Sequence, residues 1–170
     1  EGNLPHASDM GFAAPIFHDG ILVAFAGTIA HKADVGGTVP GSTYGSATEL
    51  YHEGMMIPPI RILRAGVPID DVMRLIAANT RAPYVVLGDI SGQIGVTRIG
   101  RQHMHEMCDR FGAQVVVDSM EAMIAASGEE FKAALKDVPN GTSEAEGFLD
   151  HDGVDVTTKV RLHVRLTVED

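Results

Sequence analysis

The chain has a single cysteine, Cys108, among 170 residues. One thiol cannot build a disulfide framework, so the small stapled folds of secreted proteins are excluded and a reducing cytoplasm is the expected compartment. Cys108 falls within a helical pattern and reads as a small core residue. Positive charge is also scarce: 13 Lys and Arg stand against 23 Asp and Glu, a formal net charge of -10. With no basic run, such a surface repels phosphate backbones, which argues against nucleic acid and anionic membranes as partners. No apolar run reaches the ~18 residues of a spanning helix, and no signal peptide is visible. The phosphate loop G-x-x-x-x-G-K-[ST] and the dinucleotide turn G-x-G-x-x-G are both missing, so no nucleotide cradle is expected here.

What remains is ordinary globular material. A hydrophobic fraction of 45% and a charged fraction of 21% allow a core of one domain or somewhat more. The sequence opens on Glu1 rather than Met, and it closes on V-R-L-H-V-R-L-T-V, which alternates like a half-buried strand that needs partners. It is therefore expected to be a segment of a longer polypeptide.

The informative stretch is 5–37. His18-Asp19-Gly20 separates two apolar runs, and Asp-Gly in that place is a strong hairpin signal because the turn requires positive φ. Antiparallel pairing of Phe12–Phe17 with Ile21–Ile29 brings the segment before the first strand, with His6 and Asp9, near the segment after the second, with His31 and Asp34. Two imidazoles and one or two carboxylates at one end of a hairpin are donors suited to a divalent-metal site; the alternative reading is histidines hydrogen-bonded beside strand ends, and the pattern alone does not choose between them.

The glycine-rich run 36–46 follows and reads as a compact loop where backbone approaches a ligand. Glu49 and Glu53, four apart, would share a face on a helix and are candidates for acid–base work or for supporting a metal ligand. Ile57–Leu63, with Pro58 and Pro59, reads as an edge strand or extended segment. A short helix is predicted from Asp70 or Asp71 to about Arg81, ended by Pro83, and a longer one from about Val86 to Arg110 with Gly112 as its stop. Gly88, Gly92, Gly95 and Gly100 weaken the long helix by roughly 1 kcal/mol each relative to Ala, so close helix contact is expected to compensate. His103 and His105, two apart, point to different faces and read as structural. A third helix is predicted with Val116, Met120, Met123, Ile124, Phe131 and Leu135 facing inward, ending near Asn140-Gly141. Strands around the His151-Asp152-Gly153 turn occupy Phe148–Asp170. Strands, helices and strands in that order make an α+β fold. The expected division is a hairpin and loop over 1–65, helices over 66–138 and strands over 139–170.

Several blocks, in order, resemble the hydantoinase B/oxoprolinase family: H-A-S-D at 6–9, A-P-I-F at 14–17 and A-H-K-A-D-V-G-G-T-V-P-G-S at 30–42. E-L-Y-H-E-G at 49–54, I-P-P-I-R-I at 57–62, N-T-R-A-P at 79–83, G-D-I-S-G-Q at 88–93 and V-P-N-G at 138–141 continue it. The resemblance implies an internal piece of a larger subunit. It also implies ATP-dependent chemistry on a lactam, hydantoin or ketone, with ATP phosphorylating an amide or enol oxygen on a hydantoinase A-type partner subunit or domain. In the carboxylase relatives the metal ligands are a His, an Asp three later and a His some two dozen residues on, which correspond here to His6, Asp9 and His31.

The leading expectation is a component of a cyclic amide hydrolase, part of a hetero-oligomer, in which His6, Asp9 and His31 hold Zn, Mn or Fe. Asp34 would orient His31 or a water, with Glu49 or Glu53 as acid or base. The A-D-V-G-G-T-V-P-G-S block at 33–42 resembles the hydantoinase and oxoprolinase branch more than acetone carboxylase, which favours hydrolysis. The alternatives are a subunit of an ATP-dependent ketone carboxylase and a non-catalytic scaffold.

Overall fold

The computed structural model describes residues 6–169 and is mixed α+β. By internal packing the chain forms two compact units, Glu1–Ala113 and Gln114–Asp170.

In the first unit, β1 (Asp9–His18) and β2 (Ile21–His31) form an antiparallel hairpin. The connection is the two residues Asp19 and Gly20, with φ of 49° and 81°. Positive φ at both is what a two-residue turn matched to strand twist demands, and Asp followed by Gly tolerates it best. The register changes between Ile16 and Phe17, which pair with Ala24 and Leu22 and leave Val23 as the extra residue of a bulge. At the other end of the ribbon Asp9 lies directly opposite His31.

Two further strands, β3 (Leu63–Arg64) and β4 (Val67–Pro68), make a minimal hairpin. Of the stretch Ile57–Leu63 only Leu63 enters a strand, and Pro58-Pro59 carries none among the described residues. Helix α1 (Asp70–Ala78) carries Asp70 and Asp71 in its first turn, where carboxylates meet the positive end of the helix dipole. Helix α2 (Pro83–Phe111) begins three residues before Val86, because a proline at the first helical position has no N–H to lose. Its stop is Gly112, at φ 87°, whose N–H donates to the Cys108 carbonyl at 2.8 Å. Cys108 is buried.

The core of this unit joins Met10 and Val35 from the hairpin side to Ile76 of α1 and Val86, Ile90 and Ile94 of α2. Each fully buried side chain of this kind contributes about 1.5–3 kcal/mol of transfer free energy. That burial offsets the glycines of α2. Close helix contact is not the reason for them: a Cβ at Gly88, Gly92 or Gly95 would meet nothing within 4 Å, and only Gly100 faces a neighbour, the Ala26 Cβ of β2 at 3.3 Å.

The second unit holds α3 (Ala113–Leu135), β5 (Gly141–Leu149) and β6 (Val160–Val168). β5 and β6 pair antiparallel, and β5 starts seven residues before Phe148, where the sequence pattern places the first strand. One face of the ribbon is a charge ladder: Glu144 accepts from Arg165 Nε at 2.6 Å and pairs with His163 at 3.2 Å, and Glu146 pairs with Arg161. The opposite face sets Leu162, Val164 and Leu166 across from Gly147, Ala145 and Ser143. In the connection, Asp152 Oδ1 accepts the N–H groups of Val154 and Asp155, both at 2.8 Å, so the expected turn is present. On α3 only Val116 is buried among the described residues. Met123, Ile124, Phe131 and Leu135, expected inward, are exposed. Helical periodicity marks the apolar stripe, but no described element covers it.

Candidate metal centre

The end of the first hairpin assembles the predicted trio. Asp9 and His31 face each other across the ladder, and Lys32 N–H donating to the Ser8 carbonyl at 2.8 Å carries the pairing one step further. Residues 6–9 close a turn in which Asp9 N–H donates to the His6 carbonyl at 3.2 Å, swinging His6 back over Asp9. Asp9 Oδ1 lies 3.3 Å from His31 Nδ1 and Asp9 Oδ2 lies 3.4 Å from His6 Nε2. The two imidazole rings stand edge to face with centroids 4.9 Å apart. One ligand atom from each of the three residues falls within 4.8 Å of the others. The carboxylate is the inner member, its side chain 17% exposed, and the imidazoles are open at 43% and 52%. The donor set, two imidazoles and a carboxylate on one side of a point open to solvent, suits a divalent ion that keeps free coordination positions.

Beneath the trio lies a residue that its sequence context does not single out. Lys32, next to His31, is fully buried. Its ammonium donates to the Gln93 side-chain oxygen and, at 3.3 Å, to the Ala30 carbonyl. Burial pushes its pKa below the ordinary lysine value, and the nearby carboxylates of Asp89 and Asp9 pull it partly back up. Gln93, buried on α2, uses its amide N–H on the Met10 carbonyl at 3.0 Å.

Asp34 sits apart from the trio in its bonding. Its carboxylate accepts N–H groups of Gly36, Gly41 and Arg81, each at 2.9 Å, and Arg81 Nη1 at 3.0 Å. Burial alone would raise its pKa, but the N–H groups of Arg81, Gly36 and Gly41 and the guanidinium outweigh burial and hold the carboxyl well below the usual carboxylate range. Arg81 also donates to the carbonyls of Gly36, Gly37 and Val39 at 3.2, 2.7 and 3.0 Å, and Ser42 Oγ accepts Val35 N–H and donates to the Gly36 carbonyl, both at 2.8 Å. The glycine-rich loop is thus a clamped structure centred on the Asp34–Arg81 pair. Its glycine at 37 is needed for space as well as conformation: φ is +79° and a Cβ would sit 2.5 Å from the His52 carbonyl.

Glu49 and Glu53 do not share an α-helical face. Leu50–Glu53 is a 3-10 turn and Glu49 precedes it in extended conformation, its carboxylate 3.3 Å from His52 Nε2. Glu53 is half-buried in the same turn, against which the loop folds through Thr38 N–H donating to the His52 carbonyl at 2.9 Å. His103 is exposed, and the His105 ring lies 5.8 Å from that of His18, near the turn end of the hairpin.

A sequence model described as Hydantoinase B/oxoprolinase matches residues 1–170. The chain belongs to the hydantoinase B/oxoprolinase family. It is similar to a protein assigned as the B-type component of a D-/L-hydantoinase in Pseudomonas sp. (strain NS671), at 34% identity over 96% of this chain and 28% of that one. It is also similar to the acetophenone carboxylase delta subunit of Aromatoleum aromaticum, at 27% identity over 88% of this chain and 22% of the other. The crystal structure of the ATP-dependent caprolactamase from Pseudomonas jessenii superimposes with a TM-score of 0.75 and 31% identity, over 85% of this chain and 25% of that one. The hydantoinase B-like chain spans about a quarter of the length of these three proteins, and it is a fragment of that larger fold. Among the described residues no helix is long and apolar enough to cross a membrane.

Proposed function

We propose that this chain is the metal-bearing portion of an ATP-dependent cyclic amide hydrolase of the hydantoinase and oxoprolinase type. The observation that carries the reading is the convergence of His6, Asp9 and His31 at one end of a hairpin. The relatives add support, since they are named for hydantoinase, caprolactamase and 5-oxoprolinase activities. His6 and His31 would each offer a neutral ring nitrogen and Asp9 one carboxylate oxygen to Zn, Mn or Fe. When bound, such an ion polarises a carbonyl or acidifies a water.

The residues of this chain then have separable tasks. Asp9, held between the two imidazoles, fixes their orientation and supplies negative charge to a cation. The glycine-rich loop, locked by Asp34 and Arg81, presents backbone beside the 52–55 turn. Glu53, and the more exposed Glu49 before the turn, would be the groups that move a proton. ATP is handled by a hydantoinase A-type partner, in keeping with the missing phosphate loops, and phosphorylation of the amide oxygen turns it into a leaving group. Water adds to the activated carbon, the ring C–N bond breaks to leave an acyl phosphate, and a second water displaces phosphate, which departs with the former amide oxygen.

The match to the acetophenone carboxylase delta subunit favours one second reading, in which the same trio places CO2 against an enol phosphate. The test is to incubate the full-length protein and its partner with ATP and, separately, 5-oxoproline, a hydantoin, caprolactam, and a ketone with labelled bicarbonate. Ring opening coupled to phosphate release, slowed in Glu53→Gln, is the expected result. Label fixed into the ketone would establish the carboxylase instead, and ATP consumption coupled to none of the substrates would leave a scaffold.

A further inference from the structure

Lys32 is 0% exposed, which is unusual for a lysine, because an ammonium taken out of water costs several kcal/mol unless it is well paired. Its neighbour in sequence is His31. Successive strand residues point to opposite faces, so His31 projects toward solvent while Lys32 projects into the contact with α2. Any force on the Lys32 side chain acts through a shared peptide on the orientation of the His31 ring.

The same relation recurs on the other strand. Met10 follows Asp9, and its carbonyl accepts the Gln93 amide N–H at 3.0 Å while the Gln93 oxygen accepts the Lys32 ammonium. One buried amide on α2 therefore holds both strands, each at the residue next to a member of the trio. His6 is tied to the same frame through the turn that ends at Asp9. The cation is also electrostatically coupled to Asp9 and to Asp89 of α2.

We propose that Lys32 and Gln93 form a buried positioning pair for the His6–Asp9–His31 centre, setting the separation of the two strand ends that carry Asp9 and His31. The inference rests on the metal reading of that trio. Neither residue would touch the ion: Lys32 is buried on the opposite face of the ribbon from His31, and Gln93 lies on α2. Their effect is transmitted through the backbone; the scale for it is the roughly 10- to 100-fold in metal affinity lost when groups that hydrogen-bond metal ligands directly are substituted.

A pair that only stabilised the fold would behave differently from one that also shapes the site. Replacing one partner leaves a buried group unsatisfied, whereas replacing both by apolar residues of similar size is often close to neutral for stability. The experiment uses the full-length protein, with Co2+ alone as a spectroscopic probe. Lys32→Met and the double variant Lys32→Met/Gln93→Met are compared with wild type by Co2+ titration, visible absorption and thermal melting. Wild type is expected to bind, and Lys32→Met to bind about 10-fold or more weakly with an altered d–d spectrum. The double variant is expected to recover the melting temperature but not the affinity. Because it does not leave the Gln93 amide oxygen buried without its donor, it also carries the test if Lys32→Met does not fold.

Co2+ affinity within twofold of wild type and an unchanged spectrum in either folded variant would overturn the inference. So would a double variant that recovers affinity together with stability. Equal Co2+ binding by wild type and His31→Ala, or none by either, would instead overturn the metal reading itself and the positioning role with it.

Discussion

Asp34→Ala is expected to lower the stability of the first unit by about 3–5 kcal/mol, the cost of breaking a buried, hydrogen-bonded ion pair from one side. The carboxylate is 3% exposed and receives three backbone N–H groups and the Arg81 guanidinium. Removing it leaves three backbone N–H groups without their acceptor, and the loop from Gly36 to Ser42 loses the carboxylate that bridges it to Arg81. The effect should depend on pH in a defined direction. The folded-state pKa of Asp34 lies below its unfolded value of about 3.9, so its stabilisation is fully present above that value and is lost as pH falls toward the folded pKa. Urea unfolding of the wild type and Asp34→Ala should give a stability difference that is constant from pH 7 to about 5 and shrinks below about pH 4. A difference that does not change with acidification would show that the charge of Asp34 is not what holds the loop.

Asp9→Asn is expected to act on chemistry and to leave the fold intact. The side chain is the inner member of the trio, yet its ion-pair partners among the described residues are the two open imidazoles, and Lys32 is paired directly to Gln93 and not to Asp9, so its loss should change stability by only about 1 kcal/mol. An amide of the same shape keeps the packing but supplies no charge to a cation. If the bound ion contributes ~4 kcal/mol to stabilising charge in the reaction, its loss corresponds to about 10³-fold in kcat/KM for the ATP-coupled ring opening. The measurement is steady-state phosphate release and ring opening by the full-length protein with its partner, paired with a urea melt. Activity within tenfold of wild type would remove Asp9 from the site, and a large loss of stability would mark it as structural.

Which features are legible in the sequence follows from whether their cause is local. The hairpin is readable because Asp19-Gly20 fixes the turn. The turn register alone would set Asp9 against Ala30; the bulge at Val23, which no local signal announces, shifts it by one and sets Asp9 against His31. The α2 stop at Gly112 is local too, whereas its start is placed late when Pro83 is taken only as the end of α1 and not also as a helix opener. β5 is hidden over 141–147 because G-T-S-E-A-E-G has no apolar alternation. Its partner β6 supplies the large apolar side chains opposite that stretch, and a strand built to lie beneath larger neighbours shows little of its own pattern. The role of Asp34 depends on Arg81, 47 residues away, so nearness to His31 in sequence suggests the wrong neighbourhood for its hydrogen bonds. Lys32 escapes notice for a similar reason: a lone lysine reads as solvated until the helix that buries it is in place.

The most direct test of the metal centre is elemental analysis of the full-length protein, purified without chelators, beside His31→Ala. About one equivalent of a divalent transition metal per chain in the wild type, falling to a small fraction of that in the variant, is the expected result. Equal metal content in the two proteins would contradict the assignment of His6, Asp9 and His31 as its ligands.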